Sequence, residues 1–376
     1  MVYAKRVGDI DFWRGAVLIA ILVDHIPGNL LESITPRNFG LSDSSEAFVF
    51  ISGVSVGMIY APRAATRGLR AVARGCFERA LKLYGVHLVL TLSALVIFAI
   101  AFWMSGVEDL IEAHGRSYVF EQPASGFAGL AVLTHQLGYF NILPLYIVLM
   151  LWAPLALGLA MRDVRLALIV SAGVYAASRA FGLRPPNWPE PGAWFFNPFA
   201  WQLIFTIGLV SAIVWRRGPP RAATGLVFLS VVVLALAALV ATDGAGVAPG
   251  LRDSAASRLD LAKQDLGLAR LAHFAALAYL IAVAPQLKRV VDSVVGQSVQ
   301  QLGRNGLTIF GAGCVITALG QAALAATHPY SSAGIEQLVG FAYTLAGVAA
   351  LFALARWIEC RTTPAPPPAA VRFGAA

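Results

Sequence analysis

Two ionisable residues in the first apolar segment have a spacing that could support group transfer. Arg14 and His25 are separated by ten residues, which places both side chains on one face of an α-helix, about 16 Å apart along its axis. A guanidinium can hold a phosphate, and a histidine can accept a proton from a hydroxyl. A donor with a phosphate-bearing head and a long arm, such as acyl-CoA, would fit this spacing. The alternatives are that Arg14 snorkels to the interface and that His25 hydrogen-bonds between helices.

Other polar residues are candidates for contacting the acceptor or the acyl group. Asp24 is a further candidate catalytic residue, which could tune the electrostatics around His25. It lies about 100° from His25 around the helix, so it could also contact the acceptor or pair with Arg37. Arg37 and Asn38 lie in the loop after this helix, from which they could contact a sugar or an acyl carboxylate. Further candidates are Asn141, Arg270 and His273 for substrate binding, and Arg304 for phosphate binding at a helix N-terminus. Arg270 and His273 could instead be an interfacial cation and a packed histidine.

Glu46, at the start of the second apolar segment, is a candidate for orienting the histidine. It shares a helix face with Gly53 and Gly57, and this spacing of two glycines is typical of close helix packing. If that face packs on the first helix, Glu46 comes within reach of His25. The alternative is that Glu46 only complements the N-terminus of its own helix.

The composition sets the environment in which these residues act. Of the 376 residues, 58% are hydrophobic and 13% are charged, whereas a soluble domain has about 25% charged residues. This excludes a conventional soluble enzyme and a disordered chain. The net charge of +8 does not indicate nucleic-acid binding, because the cations lie between apolar segments. Three widely spaced cysteines predict neither a disulfide framework nor a metal site.

The elements that position the polar residues are expected to be membrane-spanning helices in an all-α polytopic bundle. Nineteen of the 28 cations fall on one side of the segments, which predicts that both termini are cytoplasmic. Residues 1–360 are interpreted as one transmembrane domain, and 361–376 as a disordered proline-rich cytoplasmic tail. The ten predicted spans are 10–28, 43–61, 80–104, 138–159, 166–182, 198–215, 223–241, 267–285, 306–326 and 338–358.

Several blocks of this sequence resemble the OpgC family, a branch of the acyltransferase-3-like membrane acyltransferases. The longest block begins with Asp11-Phe12-Trp13-Arg14-Gly15 and Asp24-His25-Ile26-Pro27-Gly28-Asn29 and continues to Gly53. Further blocks are Asn141-Ile142-Leu143-Pro144-Leu145-Tyr146, Asn197-Pro198-Phe199-Ala200-Trp201-Gln202 and Leu268-Ala269-Arg270-Leu271-Ala272-His273-Phe274. The resemblance covers nearly the whole chain.

The resemblance implies an activity and roles for two residues. It implies transfer of a succinyl group from cytoplasmic succinyl-CoA, as acyl-CoA co-substrate, to a hydroxyl of an osmoregulated periplasmic glucan at the bacterial inner membrane. His25 would be the catalytic base, and Arg14 would help to hold CoA. The chain departs from the family pattern at the entry to the ninth span, because Asn305-Gly306-Leu307 stands where the family has His-Ser-Leu.

Two questions stay open at the level of sequence. The acceptor hydroxyl could attack the thioester directly or could receive the acyl group from an acyl-histidine. A secondary transporter of a glycan or organic acid, with Asp24, His25 and Glu46 as a proton relay, is one alternative function. A non-catalytic scaffold for a glucan synthase is another. The acyl group, the acceptor and the oligomeric state are not determined by the sequence.

Overall fold

The computed structural model describes residues 8–216, 218, 220–327 and 332–362, and this part of the chain is all-α with no β-strand. The predicted disordered tail lies, from residue 363 onward, outside the described residues. Short 3₁₀ turns cover Leu30–Ile34, Pro36–Asn38 and Ala113–Gly115. The helices are α1 (Gly8–His25), α2 (Ser44–Ser105), α3 (Asp109–Glu112), α4 (Ser117–Glu121), α5 (Pro123–Ala131), α6 (Ile142–Arg162), α7 (Val164–Ala180), α8 (Pro198–Trp215), α9 (Thr224–Ala241), α10 (Leu251–Arg258), α11 (Leu268–Val283), α12 (Gln286–Asp292), α13 (Val294–Arg304), α14 (Gly306–Thr327) and α15 (Ala333–Thr362).

Six of these helices are long and apolar enough to cross a membrane: α2, α6, α8, α9, α14 and α15. A seventh span results if α11 and α12, which meet at 79°, form one broken helix. The helix α1 is interrupted by several charged residues, and α7 has only 17 residues. The chain is therefore a membrane protein, whereas the predicted count of ten spans and the orientation stay predictions.

The long helix α2 contains both the second and the third predicted span. Gly68 interrupts it with φ 78° and ψ 168°, a conformation that glycine adopts without steric cost. Across this break the Tyr60 hydroxyl donates a hydrogen bond to the carbonyl of Gly75 at 3.1 Å. At the start of α2, Asp43 accepts a hydrogen bond from the Ser45 N–H, and Glu46 accepts one from the Asp43 N–H. This capping box determines where the helix begins.

The glycine face of α2 packs on α8. A Cβ atom at Gly53 would overlap the carbonyl oxygen of Phe205, and one at Gly57 would lie 2.6 Å from the carbonyl oxygen of Leu209. This face therefore packs on α8, and the condition under which Glu46 would come within reach of His25, packing of the face on α1, is not met. The helix α1 instead packs closely on α13, where Gly303 adjoins the backbone of Asp11.

Candidate functional site

A cavity of about 430 Å³ surrounds His25, and we call it the histidine cavity. It is bounded by the last turns of α1, the first turns of α2 and α6, and the middle of α14. The loops before α6, α8 and α11 complete it. Its polar and aromatic lining residues include Asp24, His25, Arg37, Asp43, Phe48, His114, Tyr139, Asn141, Lys263, Phe310 and Gln321.

The backbone of α1 orients the imidazole of His25. The Nδ1 atom lies 2.6 Å from the carbonyl oxygen of Ile21, one turn earlier in the helix. Because a carbonyl can only accept, Nδ1 carries the proton and Nε2 is the basic nitrogen. The ring of Tyr139 packs edge-on against this imidazole, with ring centroids 4.9 Å apart. The tautomer of His25 is therefore fixed, with Nε2 as the ring nitrogen that can accept a proton.

The end of α1 is stabilised by side chains from its neighbours. The Asn29 amide, which is buried, donates to the carbonyl oxygens of Val23 and Ile26 at 3.0 and 2.5 Å. The Gln321 amide of α14 donates to the carbonyl oxygen of His25 at 2.8 Å. These bonds satisfy carbonyl groups that the helix itself leaves unpaired, so the last turn of α1 is held from two sides.

Asp24 lines the same cavity as His25 without a direct partner for one of its oxygens. Its Oδ1 atom is buried and accepts no hydrogen bond from the described residues. Arg37 pairs with Glu32 at 3.0 Å and donates to the backbone carbonyl of Asp24 at 3.4 Å. Asn38 donates to the carbonyl of Glu32 at 2.6 Å, which stabilises the loop that presents Arg37.

Glu46 contacts Arg270 rather than His25. Its Oε1 atom accepts a hydrogen bond from Arg270 Nε at 2.7 Å, and its side chain is fully buried. Arg270 Nη2 also lies 3.1 Å from Asp43 Oδ2, which is 2.6 Å from Lys263 Nζ. The packing of α2 on α8 explains this arrangement, because it turns Glu46 away from α1. The four residues Asp43, Glu46, Lys263 and Arg270 form what we call the acidic–basic cluster.

Within this cluster, Asp43 and Lys263 line the histidine cavity, whereas Glu46 and Arg270 lie behind them. His273 is one turn along α11 from Arg270, and its Nδ1 atom lies 2.7 Å from Ser42 Oγ. The Ser42 N–H donates to the same nitrogen at 3.3 Å. His273 and Arg270 therefore attach α11 to the residues that precede α2.

A second cavity, of about 530 Å³, lies at the other end of α1, and we call it the basic cavity. Four arginines line it: Arg14, Arg63, Arg79 and Arg304. Arg14 Nη1 donates to Asp11 at 2.9 Å and to the carbonyl of Gly303 at 3.0 Å, and its Nη2 donates to Ser55 at 2.5 Å. These contacts hold the guanidinium at the wall of the cavity.

Arg304 is paired with a carboxylate at the edge of the basic cavity. Its Nε and Nη2 atoms lie 2.6 and 2.9 Å from the two carboxylate oxygens of Glu359 in α15. The neighbouring residues Asn305 and Gly306 also line the cavity. A Cβ atom at Gly306 would lie 3.0 Å from Arg14 Cδ, so this glycine leaves room for the arginine side chain.

The histidine cavity and the basic cavity meet at two aromatic rings. Phe48 of α2 and Phe310 of α14 line both cavities. Four helices, α1, α2, α6 and α14, contribute residues to each cavity. Ser44 lines the histidine cavity and Tyr60 lines the basic cavity. The sixteen residue steps between them correspond to about 24 Å along α2. The two cavities together extend over most of a membrane thickness.

Several lining residues of the histidine cavity were not among the residues predicted to form the site, and Lys263, His114 and Tyr139 are three of them. Lys263 lies in the loop between α10 and α11, and His114 and Tyr139 lie in the segments before α6. The ring centroids of His114 and Tyr139 are 4.9 Å apart. Burial, and to a lesser extent Arg116, lowers the pKa of His114, so this histidine is neutral at pH 7.

The acidic–basic cluster predicts a pH-dependent contribution to stability. Burial raises the pKa of Asp43, but Lys263 and Arg270 outweigh it and hold the pKa below its ordinary value of 3.8. Replacing Asp43 with asparagine keeps an N-cap but removes the carboxylate between two cations. We expect a loss of about 2 kcal/mol at pH 7.

Because the folded-state pKa of Asp43 is depressed, its contribution is fully present above about pH 4 and is lost as the pH falls through the folded-state pKa. The difference in thermal unfolding midpoint between wild type and Asp43→Asn should therefore be constant from neutral pH down to about pH 5 and shrink below pH 4. Thermal unfolding in detergent, followed by tryptophan fluorescence, measures this difference. A difference that grows in acid would contradict the assignment.

The protein-family comparison agrees with the resemblance found in the sequence. The family model described as OpgC protein matches residues 6–363, which include every residue of both cavities. No curated protein and no solved structure matches the chain.

Proposed function

The chain belongs to the OpgC family, and on this premise we propose that it is a membrane O-acyltransferase. The donor is acyl-CoA, with succinyl-CoA the expected form, and the acceptor is a hydroxyl of a periplasmic glucan. The protein resides in the bacterial inner membrane with both termini in the cytoplasm. In this orientation the basic cavity opens toward the cytoplasm and the histidine cavity toward the periplasm.

The observation that supports this proposal is the junction of the two cavities at Phe48 and Phe310. Arginines bind phosphate well because the guanidinium presents several donors in a fixed fork. The phosphate-bearing head of CoA would therefore bind in the basic cavity, near Arg14, Arg63 and Arg79. The acyl thioester, at the end of its long arm, would then reach the histidine cavity.

In the proposed reaction, His25 acts as the general base. Its Nε2 atom accepts the proton of the acceptor hydroxyl, and the hydroxyl oxygen forms a bond to the thioester carbonyl carbon. The carbon–sulfur bond breaks, and the CoA thiolate takes the proton from the imidazolium to leave as a thiol. The hydrogen bond from Nδ1 to Ile21 stabilises the imidazolium while it exists.

The other polar residues of the histidine cavity are suited to binding the acyl group and the acceptor. Lys263 and Arg37 are cations that could attract an acyl carboxylate. Asp24 and Asn141 offer a carboxylate and an amide to sugar hydroxyls. Arg270 and His273 contact residues before and at the start of α2, so we assign them a positioning role through Asp43 and Ser42.

The function is tested with the protein reconstituted in vesicles that enclose a periplasmic glucan. Succinyl-CoA with a radiolabelled succinyl group is added on the side of the basic cavity, and labelled glucan ester is measured after the vesicles are opened. We expect ester to form in proportion to the CoA thiol released. If no ester forms and the vesicles instead move glucan or protons, the protein is a secondary transporter.

The arginines of the basic cavity should control the affinity for the donor. We expect Arg79→Gln to raise the KM for acyl-CoA about tenfold with little change in kcat, because one charge-assisted contact to phosphate contributes about 1.5 kcal/mol or more. The matched control is Arg74→Gln on the same helix, since Arg74 is exposed and pairs with Glu78 at 2.9 Å. An equal rise in KM for both variants would show that the effect is only one of surface charge.

A further inference from the structure

The boundary between the two cavities lies at the same level on two helices. Along α2, Ser44 and Ser45 line the histidine cavity, Ser52 and Ser55 line the basic cavity, and Phe48 lines both. Along α14, residues 306–308 line the basic cavity, residues 313–321 contribute to the histidine cavity, and Phe310 lines both. A single pair of side chains therefore stands where the cavities meet.

The two rings at this boundary pack against each other. The centroids of Phe48 and Phe310 are 5.8 Å apart with an interplanar angle of 34°, and Phe310 is buried. The ring of Tyr146 in α6 lies 6.3 Å from that of Phe48, on the side of the basic cavity. Rings at these distances attract each other, so the pair closes the boundary with apolar surface.

We propose that the Phe48–Phe310 pair is an aromatic gate that separates the basic cavity from the histidine cavity and opens by rotation of the two side chains. Rotation about side-chain bonds changes the opening without moving the helices. The gate keeps water and small ions on the cytoplasmic side from reaching His25. That the acyl-bearing arm of the donor is what passes through it rests on the proposed function, whereas closure of the boundary does not.

A native cysteine reports on the gate independently of any enzymatic activity. Cys314 lies one helical turn from Phe310 in α14 and lines the histidine cavity. In a Cys76→Ser/Cys360→Ser background, it is the single cysteine of the chain. The probe is a negatively charged, membrane-impermeant methanethiosulfonate, which the arginines of the basic cavity do not repel. It is applied to inside-out and right-side-out membrane vesicles, and the rate of Cys314 labelling is measured from each side.

We expect labelling from the side of the basic cavity to be slow in the background protein and at least tenfold faster after Phe310→Ala or Phe48→Ala. The matched control is Phe140→Ala, because Phe140 lines only the histidine cavity and its loss should not open the boundary. A rate that is unchanged by both gate variants, including no labelling from that side, overturns the proposal. Equal rates from both sides in the background protein overturn it as well.

A second measurement follows the fate of the acyl group. In the vesicle assay, Phe310→Ala should increase hydrolysis of succinyl-CoA without added glucan severalfold relative to wild type, because an open gate lets the thioester enter the water-accessible histidine cavity when no acceptor is bound. Phe140→Ala should not. Unchanged hydrolysis in an active Phe310→Ala variant would contradict the gate. A wild type that transfers no label would contradict the proposed function, and the rate of Cys314 labelling would then test the gate alone.

Discussion

Replacing His25 with alanine is expected to reduce acyl transfer about a thousandfold, the middle of the range for loss of a general base. The reason is that Nε2 is the basic nitrogen of this ring, since Nδ1 donates to the carbonyl of Ile21. Neither Nδ1 nor the carbonyl takes part in binding the CoA head, so donor affinity should be unchanged. The vesicle assay gives the rate, and equilibrium binding of CoA gives the affinity.

The control for this variant is His87→Leu. His87 is also a buried histidine within the helical part of the chain, but it lines neither cavity. We expect the His87→Leu variant to transfer the succinyl group at a rate close to that of wild type. A His25→Ala protein that folds and loses less than about tenfold in rate would rule out His25 as the general base.

Replacing Gly53 with leucine is expected to destabilise the protein by about 3 kcal/mol or more, at the upper end of the range for overpacking. A Cβ atom at Gly53 would overlap the backbone of Phe205. The neighbour is a helix backbone that cannot rotate away, so α2 and α8 must separate. Because Glu46 lies in the first turn of the same helix, the acidic–basic cluster should be displaced as well.

The matched control is Gly85→Leu in the same helix. Gly85 is exposed, and a Cβ atom there would meet nothing within 4 Å. Leucine has a higher helix propensity than glycine, so this variant should unfold at or slightly above the wild-type midpoint. Equal losses in both variants would mean that glycine is required for a reason other than the contact between α2 and α8.

The membrane class and the relation between Arg14 and His25 could be predicted from sequence, because both depend on properties of single segments. Apolar content identifies helices that suit a bilayer, and the spacing of two residues on one helix determines their separation along its axis. The structure places Arg14 in the basic cavity and His25 in the histidine cavity. The family resemblance is confirmed by the match over residues 6–363.

The partners of individual side chains could not be predicted in the same way. The glycines of α2 indicate that some helix packs closely there, but not that it is α8 rather than α1, and this choice decides what Glu46 contacts. Lys263 and Tyr139 come from loops, where no periodic pattern relates a residue to the cavity it lines. Tertiary packing, rather than local pattern, therefore determines this part of the site.

The hydrogen bond between His25 and Ile21 lies within α1, so movement of the surrounding helices leaves it unchanged. The base and the group that orients it belong to a single helical turn, so they move as one rigid unit. A tilt or slide of α2 or α14 that accompanies passage of the donor would change the distance from the imidazole to its substrate but not its protonated tautomer. In the proposed mechanism, the passage for the donor can therefore deform without changing the tautomer of the histidine that acts as the base.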